Sequence, residues 1–282
     1  MQKRFNYLSK IERKRNPNFS RHDKIRLEKN ERVSKFNKKF LNKIQSRFKS
    51  EHLTAYPEVE NLYKKISSQL KIKKEMIVIT AGSDLAIKNC FELLVSPEDQ
   101  VITINPTYGM VDVYTKLFGA KQVKINFDKS LKLNVNEICK KINKKTNLIV
   151  LANPNSPTGT VISKKDIIKI LKISKKNNAY VLIDECYYGY YKKTVLSLIK
   201  KHKNLIISRS FSKIGLAGCR IGFLISNEKV AKLLYKFRPF YEISAFSALV
   251  LDEFLNSKTL IKNYVNETLI GKKILTKKLK KL

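Results

Sequence analysis

Lys213 is the residue from which chemistry could start. It lies in SRSFSKIGLAGCR, residues 208–220, after two serines and before a glycine-rich turn, with Arg220 seven residues further on. The 282-residue chain carries 58 lysines and arginines, so only its surroundings could set this amine apart. Ser210 and Ser212 offer hydroxyls, and Arg220 offers a guanidinium that can grip a phosphate through paired hydrogen bonds. Four other stretches hold comparable groups. TAGSD (80–84) places Gly82, Ser83 and Asp84 at the start of a helical pattern, where backbone N–H groups suit a phosphate or an ordinary N-cap. NPTYGM (105–110) carries Tyr108 after a proline turn, able to stack on a planar ligand or to sit as a half-buried loop residue. ANPNSPTGT (152–160) is a rigid loop in which Asn155 or Ser156 can hydrogen-bond a ligand. DECYY (184–188) ends an apolar run with Asp184, a carboxylate whose burial calls for a cation, and has Tyr187 three residues later.

Each stretch follows a short β-branched run. The runs are Met76–Thr80, Val101–Ile104, Val123–Ile125, Asn147–Leu151, Tyr180–Ile183, Asn204–Ser208 and Ile221–Ile225, and their continuous apolar character predicts strands buried on both faces. Helical spacing separates most of them, at Asp84–Leu94, Met110–Phe118, Val135–Ile142 and Lys164–Lys175. Two more amphipathic stretches, 33–49 and 58–70, precede the first run, and the chain after Asn227 reads as helix nearly to its end. The alternation predicts a three-layer αβα fold with a mostly parallel central sheet. Such sheets bind ligands at the carboxyl ends of their strands, where the candidate residues fall. One ligand satisfies them together. A planar ring would stack on Tyr108. A protonated pyridine nitrogen would pair with Asp184. A phenolate would meet Tyr187 and the Asn155/Ser156 loop. A phosphate would meet Gly82, Ser83, Asp84, Ser210, Ser212 and Arg220. An aldehyde would condense with Lys213. That ligand is pyridoxal 5′-phosphate (PLP).

Composition narrows the alternatives. The formal net charge is +35, but lysines lie on nearly every polar face from Lys3 to Lys281. A nucleic-acid stripe would be concentrated and interleaved with aromatics. Compositional bias of the kind an AT-rich genome produces is the simpler reading, so no specific nucleic-acid partner is expected. Cys90, Cys139, Cys186 and Cys219 form no C-x-x-C pair, and His22, His52 and His202 are scattered. Neither a metal site nor a disulfide framework is expected, and a reducing cytoplasm fits. No apolar run approaches the ~20 residues of a membrane span.

YPEVENLYKKIS, TAGSDLAI, NPTYGMVD, LANPNSPTG, LIDECYYGY and SRSFSKIGLAGCRIGF resemble, in order, the motifs of the fold-type-I PLP-dependent aminotransferases of class I/II, and within them the histidinol-phosphate aminotransferase branch. The likeness runs over about residues 25 to 270. It implies an aspartate aminotransferase-like large domain and a reaction between an amino donor and an oxo acceptor. It implies that Lys213 carries the cofactor and shuttles protons, that Asp184 pairs with the ring nitrogen, and that Tyr187 and the residue before PTG contact the ring oxygen. Arg220, Ser210 and Ser212 would hold the phosphate. Tyr56 would reach the phosphate of a partner subunit, which implies a homodimer. RLEKNER (26–32) resembles the segment that lies beside the substrate. The expected organisation is an N-terminal arm and helix (1–50), a PLP-binding large domain (51–245) and a helical segment (246–282) leading to a small C-terminal domain that is truncated here.

Three features depart from the family pattern. Ser156 replaces the usual asparagine. FRPFYEIS (237–244) replaces a proline-rich strip that shapes the substrate pocket. The chain ends at Leu282, ahead of the region that supplies the family's substrate-carboxylate arginine, which leaves Arg26, Arg32 and Arg238 as candidates. A decarboxylase of the same fold, resembling the threonine-phosphate enzymes, would share every cofactor contact. A non-catalytic PLP-fold protein is the third reading.

Overall fold

The computed structural model describes residues 20–281 other than His22, together with Ser9. His22 and residues 1–8 and 10–19 of the expected N-terminal segment therefore lie outside the described residues. The strands are β1 (Ile77–Thr80), β2 (Gln100–Asn105), β3 (Lys121–Asn126), β4 (Thr146–Ala152), β5 (Tyr180–Asp184), β6 (Leu205–Ser210) and β7 (Gly222–Ile225). They form one seven-stranded sheet in the order β1-β7-β6-β5-β4-β2-β3. β7 runs antiparallel to both neighbours, and the remaining pairs are parallel.

The apolar runs make this sheet because alternate residues serve opposite cores. Ile77, Ile79, Ile149, Leu151, Val181, Ile183, Leu205 and Ile207 face one core, and Val78, Leu148, Val150, Leu182 and Ile206 face the other. The first core is covered by α1 (Lys38–Arg47), α3 (Glu60–Leu70), α6 (Val135–Lys141), α7 (Lys164–Lys176) and α9 (Ala245–Asn256). The second is covered by α4 (Gly82–Leu94), α5 (Met110–Leu117) and α8 (Glu228–Phe237). Each buried Ile or Leu contributes ~1.5–3 kcal/mol, so the layers hold even though Lys-rich faces surround them.

Three expectations change. β3 is an edge strand, with Lys121 and Lys124 exposed and Val123 only partly buried, rather than a strand covered on both faces. Charged side chains there discourage pairing with another sheet. The helix expected from residue 33 starts at Lys38, because Asn37 Oδ1 accepts the Phe40 N–H (2.9 Å) and caps it. The region after Asn227 is three helices rather than one run. Pro239 lies in the break between α8 and α9, Ser244 caps α9, and Ser257 separates α9 from α10 (Lys258–Leu279). The remaining helix, α2 (Glu51–Thr54), is a single turn.

Candidate active site

The loops after β1, β2, β4, β5 and β6 open on the same edge of the sheet. The first contribution is the start of α4. Gly82 has φ +83°, and the helix has no side-chain N-cap bond, so its first N–H groups are left for another acceptor. A Cβ on Gly222 of β7 would lie 2.6 Å from the Gly82 carbonyl carbon and 2.7 Å from both Ser83 N and Arg209 O. Glycine at 222 is thus what lets this helix start sit against the sheet. Arg220, in the left-handed region at φ 52°, lays its guanidinium over the same spot, with Nη2 3.0 Å from where a Gly82 Cβ would be. That guanidinium makes no ion pair with any described residue. Ser210 and Ser212 complete the corner: the Ser212 N–H donates to Ser210 Oγ at 3.1 Å. Gly82, Ser83, Ser210, Ser212 and Arg220 are therefore brought together.

Asp84 follows in the first turn of α4. Its Oδ1 accepts the Tyr114 hydroxyl at 2.8 Å, so its side chain is engaged within the fold. Tyr108 is 39% exposed. Burial, with Asp84 and Asp184 close by, pushes its hydroxyl well above the usual tyrosine range.

Asp184 closes β5 and is only 4% exposed. Its Oδ1 accepts the Ser208 hydroxyl at 2.7 Å across the β5–β6 register. Burial pushes its pKa up to about 6, against the Ser208 hydroxyl and the Cys186 thiol and N–H, which favour the charged form. Among the described residues no lysine, arginine or histidine pairs with it. The buried cation of this region, Arg209, goes to Glu185 instead, with Nη2 and Nε 2.8 and 3.0 Å from Glu185 Oε2.

Lys213 sits in a single π-helical turn, Ser212–Leu216, broken at Gly215 (φ 139°). Its Nζ donates to the Lys29 carbonyl at 2.7 Å and lies 5.8 Å from the centre of the Tyr187 ring. Tyr190 OH donates to the Lys213 carbonyl (2.8 Å), and Asn30 Nδ2 donates to Tyr187 OH (2.9 Å). The segment expected beside the substrate thus lies across the lysine. Asn155 is buried with its amide spent on its own loop and on the 105–110 loop: Nδ2 donates to Pro106 O and Thr158 Oγ1 (both 2.9 Å), and Oδ1 accepts Thr107 Oγ1 (2.8 Å). The half-buried Ser156 hydroxyl makes no hydrogen bond to a described residue.

Tyr56 is not part of this cluster. It is 77% exposed, stacks on Tyr241 (4.4 Å, 12°) and lines a cavity of about 400 Å³ with Arg47, His52 and Asp252. The three candidate arginines are engaged elsewhere. Arg26 bonds the Arg32 carbonyl, Arg32 lies between the Phe36 and Tyr264 rings (4.4 and 4.5 Å), and Arg238 stacks on Tyr235. Sequence reasoning missed Ser208, Glu185, Arg209, Thr194 and Gly222. Glu185 and Arg209 did carry a signal, since each charge adjoins a site residue in an otherwise apolar strand end.

The class I and II aminotransferase family model matches residues 19–281. The histidinol-phosphate aminotransferase of Clostridium novyi is 34% identical over 263 residues, covering 92% of this chain and 73% of that protein. The solved histidinol-phosphate aminotransferase from Clostridium acetobutylicum matches with a TM-score of 0.75 at 24% identity, over 86% of this chain and 72% of the other. The Sinorhizobium meliloti enzyme, solved in complex with pyridoxal 5′-phosphate, matches at 0.75 and 21%, over 84% and 65%. The chain belongs to the class I and II aminotransferases. It is a PLP-dependent transaminase. The residues present fit that cofactor: a buried carboxylate with no cationic partner among the described residues suits a ring N–H⁺, and a glycine-lined helix start under an arginine that pairs with no described residue suits a phosphate.

Proposed function

We propose that this aminotransferase moves an amino group between an amino donor such as glutamate and a phosphorylated keto substrate; its Clostridium novyi relative is named for a phosphorylated compound, histidinol phosphate. The observation that carries the site assignment is Asp184, buried and bonded only to neutral donors within reach of the Lys213 loop. In this reading Gly82, Ser83, Asp84 N–H, Ser210, Ser212 and Arg220 hold the cofactor phosphate, Tyr108 covers the ring, and Asp184 keeps the ring nitrogen protonated. Tyr187 and Ser156 serve the ring oxygen. Ser156 is preferred to Asn155 because the Asn155 amide has no donor left. Bound PLP supplies an aldehyde and an electron sink. Lys213 Nζ, once free of the Lys29 carbonyl, would hold the cofactor and carry the proton taken from the substrate carbon. Asn30 orients the Tyr187 hydroxyl, and Tyr190 fixes the backbone of Lys213.

A homodimer belongs to the same reading. Tyr56 stands on an exposed patch with Tyr241 and Phe240, apart from the site in its own chain, where it can serve a second subunit. A cytoplasmic location is proposed as well. No helix among the described residues is long and apolar enough to cross a membrane.

The test loads the protein with PLP and supplies histidinol phosphate with 2-oxoglutarate, following glutamate formation. Histidinol phosphate carries a phosphorylated hydroxymethyl group in place of a carboxylate, so a decarboxylase cannot act on it. Glutamate formation supports the proposal. CO₂ release from phosphothreonine with no glutamate from any donor would replace it with the decarboxylase reading.

A further inference from the structure

Glu185 and Arg209 stand one residue beyond the two groups that form the ring-nitrogen site, Asp184 and Ser208. Successive residues of a strand point to opposite faces, so this pair lies behind the sheet edge that Asp184 and Ser208 present. The two strand ends are joined there by the Glu185 N–H donating to Ser208 O at 2.9 Å. Both side chains are buried, Glu185 at 2% and Arg209 at 4% exposure. The carboxylate is saturated: Oε2 takes Arg209 Nε and Nη2, Oε1 takes the Val195 N–H at 2.8 Å, and the Thr194 hydroxyl lies 2.8–2.9 Å from both oxygens. Arg209 spends a further contact on Thr194 Oγ1 (2.8 Å) and lies 4.7 Å from the centre of the Tyr188 ring. An arginine cannot escape burial by losing its proton. If it were not held, its buried cation would bear on Asp184, the carboxylate next in the chain to Glu185, which has no cationic partner among the described residues.

We infer that Glu185 is a positioning residue for the ring-nitrogen site: it detains the Arg209 cation on the far face of the strand ends, so that Asp184 remains free for the cofactor's ring nitrogen. The pair also closes the loop 185–195, which carries Tyr187 and Tyr190, by tying Glu185 to Thr194 and Val195. The inference rests on the assignment of Asp184 to that nitrogen.

The experiment measures the affinity of the cofactor-free protein for PLP and for an analogue with carbon in place of the ring nitrogen, by fluorescence titration. The ratio of the two dissociation constants isolates the nitrogen's contribution from phosphate and ring contacts. The full chain should favour PLP by tenfold or more, the size of about one unit of pKa. Glu185→Gln should bring the ratio toward one, because the released cation competes with the ring N–H⁺. Adding Arg209→Gln to that variant should restore it. Glu185→Asp, which keeps the charge but shortens its reach, should lower the ratio several-fold and serves if the Gln variant fails to fold. A purely structural pair would weaken both ligands equally and leave the ratio unchanged in either single variant, and that result overturns the inference. A wild-type ratio near one would instead remove the Asp184 assignment itself.

Discussion

The chain contains two buried Asp-Glu dipeptides, Asp184-Glu185 at the end of β5 and Asp252-Glu253 inside α9, and their treatment differs. At Asp252-Glu253 every charge is answered. Asp252 takes Lys65 (2.5 Å), Arg47 (2.8 Å) and Asn61 (3.1 Å), and Glu253 takes Lys43 (3.0 Å) and Arg47 (3.1 Å). Burial pushes Asp252 up, but the Lys65 and Arg47 hydrogen bonds outweigh it and hold the carboxyl below its ordinary range. At Asp184-Glu185 the one cation is assigned to Glu185, and Asp184 is left with neutral donors and a raised pKa. The first pair fastens α1 and α3 to α9. The second leaves a carboxylate in readiness. A fully neutralised buried pair signals architecture, and a half-neutralised one signals a ligand.

The largest effect should come from neither pair but from the amine between them and the substrate. Lys213→Ala is expected to lower turnover by about 10⁴-fold, since on the proposed reading it removes both the point of attachment and the proton carrier. Borohydride treatment of the PLP-loaded protein followed by peptide mapping should put the adduct on Lys213. An adduct elsewhere would dissolve the comparison, because Asp184 would then serve some other site.

Asp184→Ala should cost ~2.7–4 kcal/mol of transition-state stabilisation, read as a fall in kcat, with modest change in melting temperature. Asp252→Ala should do the reverse: kcat per folded molecule stays near wild type while urea unfolding shows a loss of ~1–3 kcal/mol. If both variants lose only stability, the two dipeptides are alike and Asp184 has no special role.

Their pH dependences should have opposite sign in the cofactor-free protein. Asp184 has a folded pKa of about 6 against an ordinary value of 3.8, so the folded state binds the extra proton between these limits. Stability should therefore fall as pH rises from about 4 to 6, by up to ~3 kcal/mol. Asp252, held low, contributes stability above its unfolded pKa and loses it as pH drops below about 4. Melting temperature against pH for wild type and Asp184→Asn checks this, and the Asn variant should be flat over the upper window.

The smallest effects separate two neighbours in one loop. Asn155→Ala should cost ~1–3 kcal/mol of stability, because three internal hydrogen bonds go with it. Ser156→Ala should leave stability unchanged and weaken PLP binding only a few-fold, about the value of one neutral hydrogen bond. PLP titration and thermal melting on both variants distinguish the roles.

Much of this was legible beforehand. The strands and the helices between them follow from apolar runs and helical spacing, and five site loops follow from their strands. β3 was misread because two apolar residues among lysines look the same at an edge as in the middle. The helical break at Arg238–Ser244 was missed because the apolar spacing continues on either side of Pro239. At the site, Lys213, Asp184 and Arg220 stood out by type and position, whereas Asn155 and Ser156 could not be separated. Both are small polar residues in a proline loop, and only the hydrogen bonds to Thr107, Pro106 and Thr158 tell them apart.

By itself the sequence determined which strands exist, which loops would share an edge, and which residue types could meet a phosphate, a ring and an aldehyde. Those conclusions depend on local periodicity and on chemistry that each side chain carries with it. Only the tertiary structure decided how charge is distributed among those side chains. Arg209 could have answered Asp184 or Glu185, and nothing in the order of residues chooses between them. The pleat of β5 and β6 puts Arg209 on the Glu185 face, and Thr194 and Val195, at the far end of the loop that Glu185 begins, fix the Glu185 carboxylate that holds it. Pairing in a buried site is a long-range property, because each partner must be brought within hydrogen-bond distance while water is excluded. That condition is met only once the sheet and its loops are assembled.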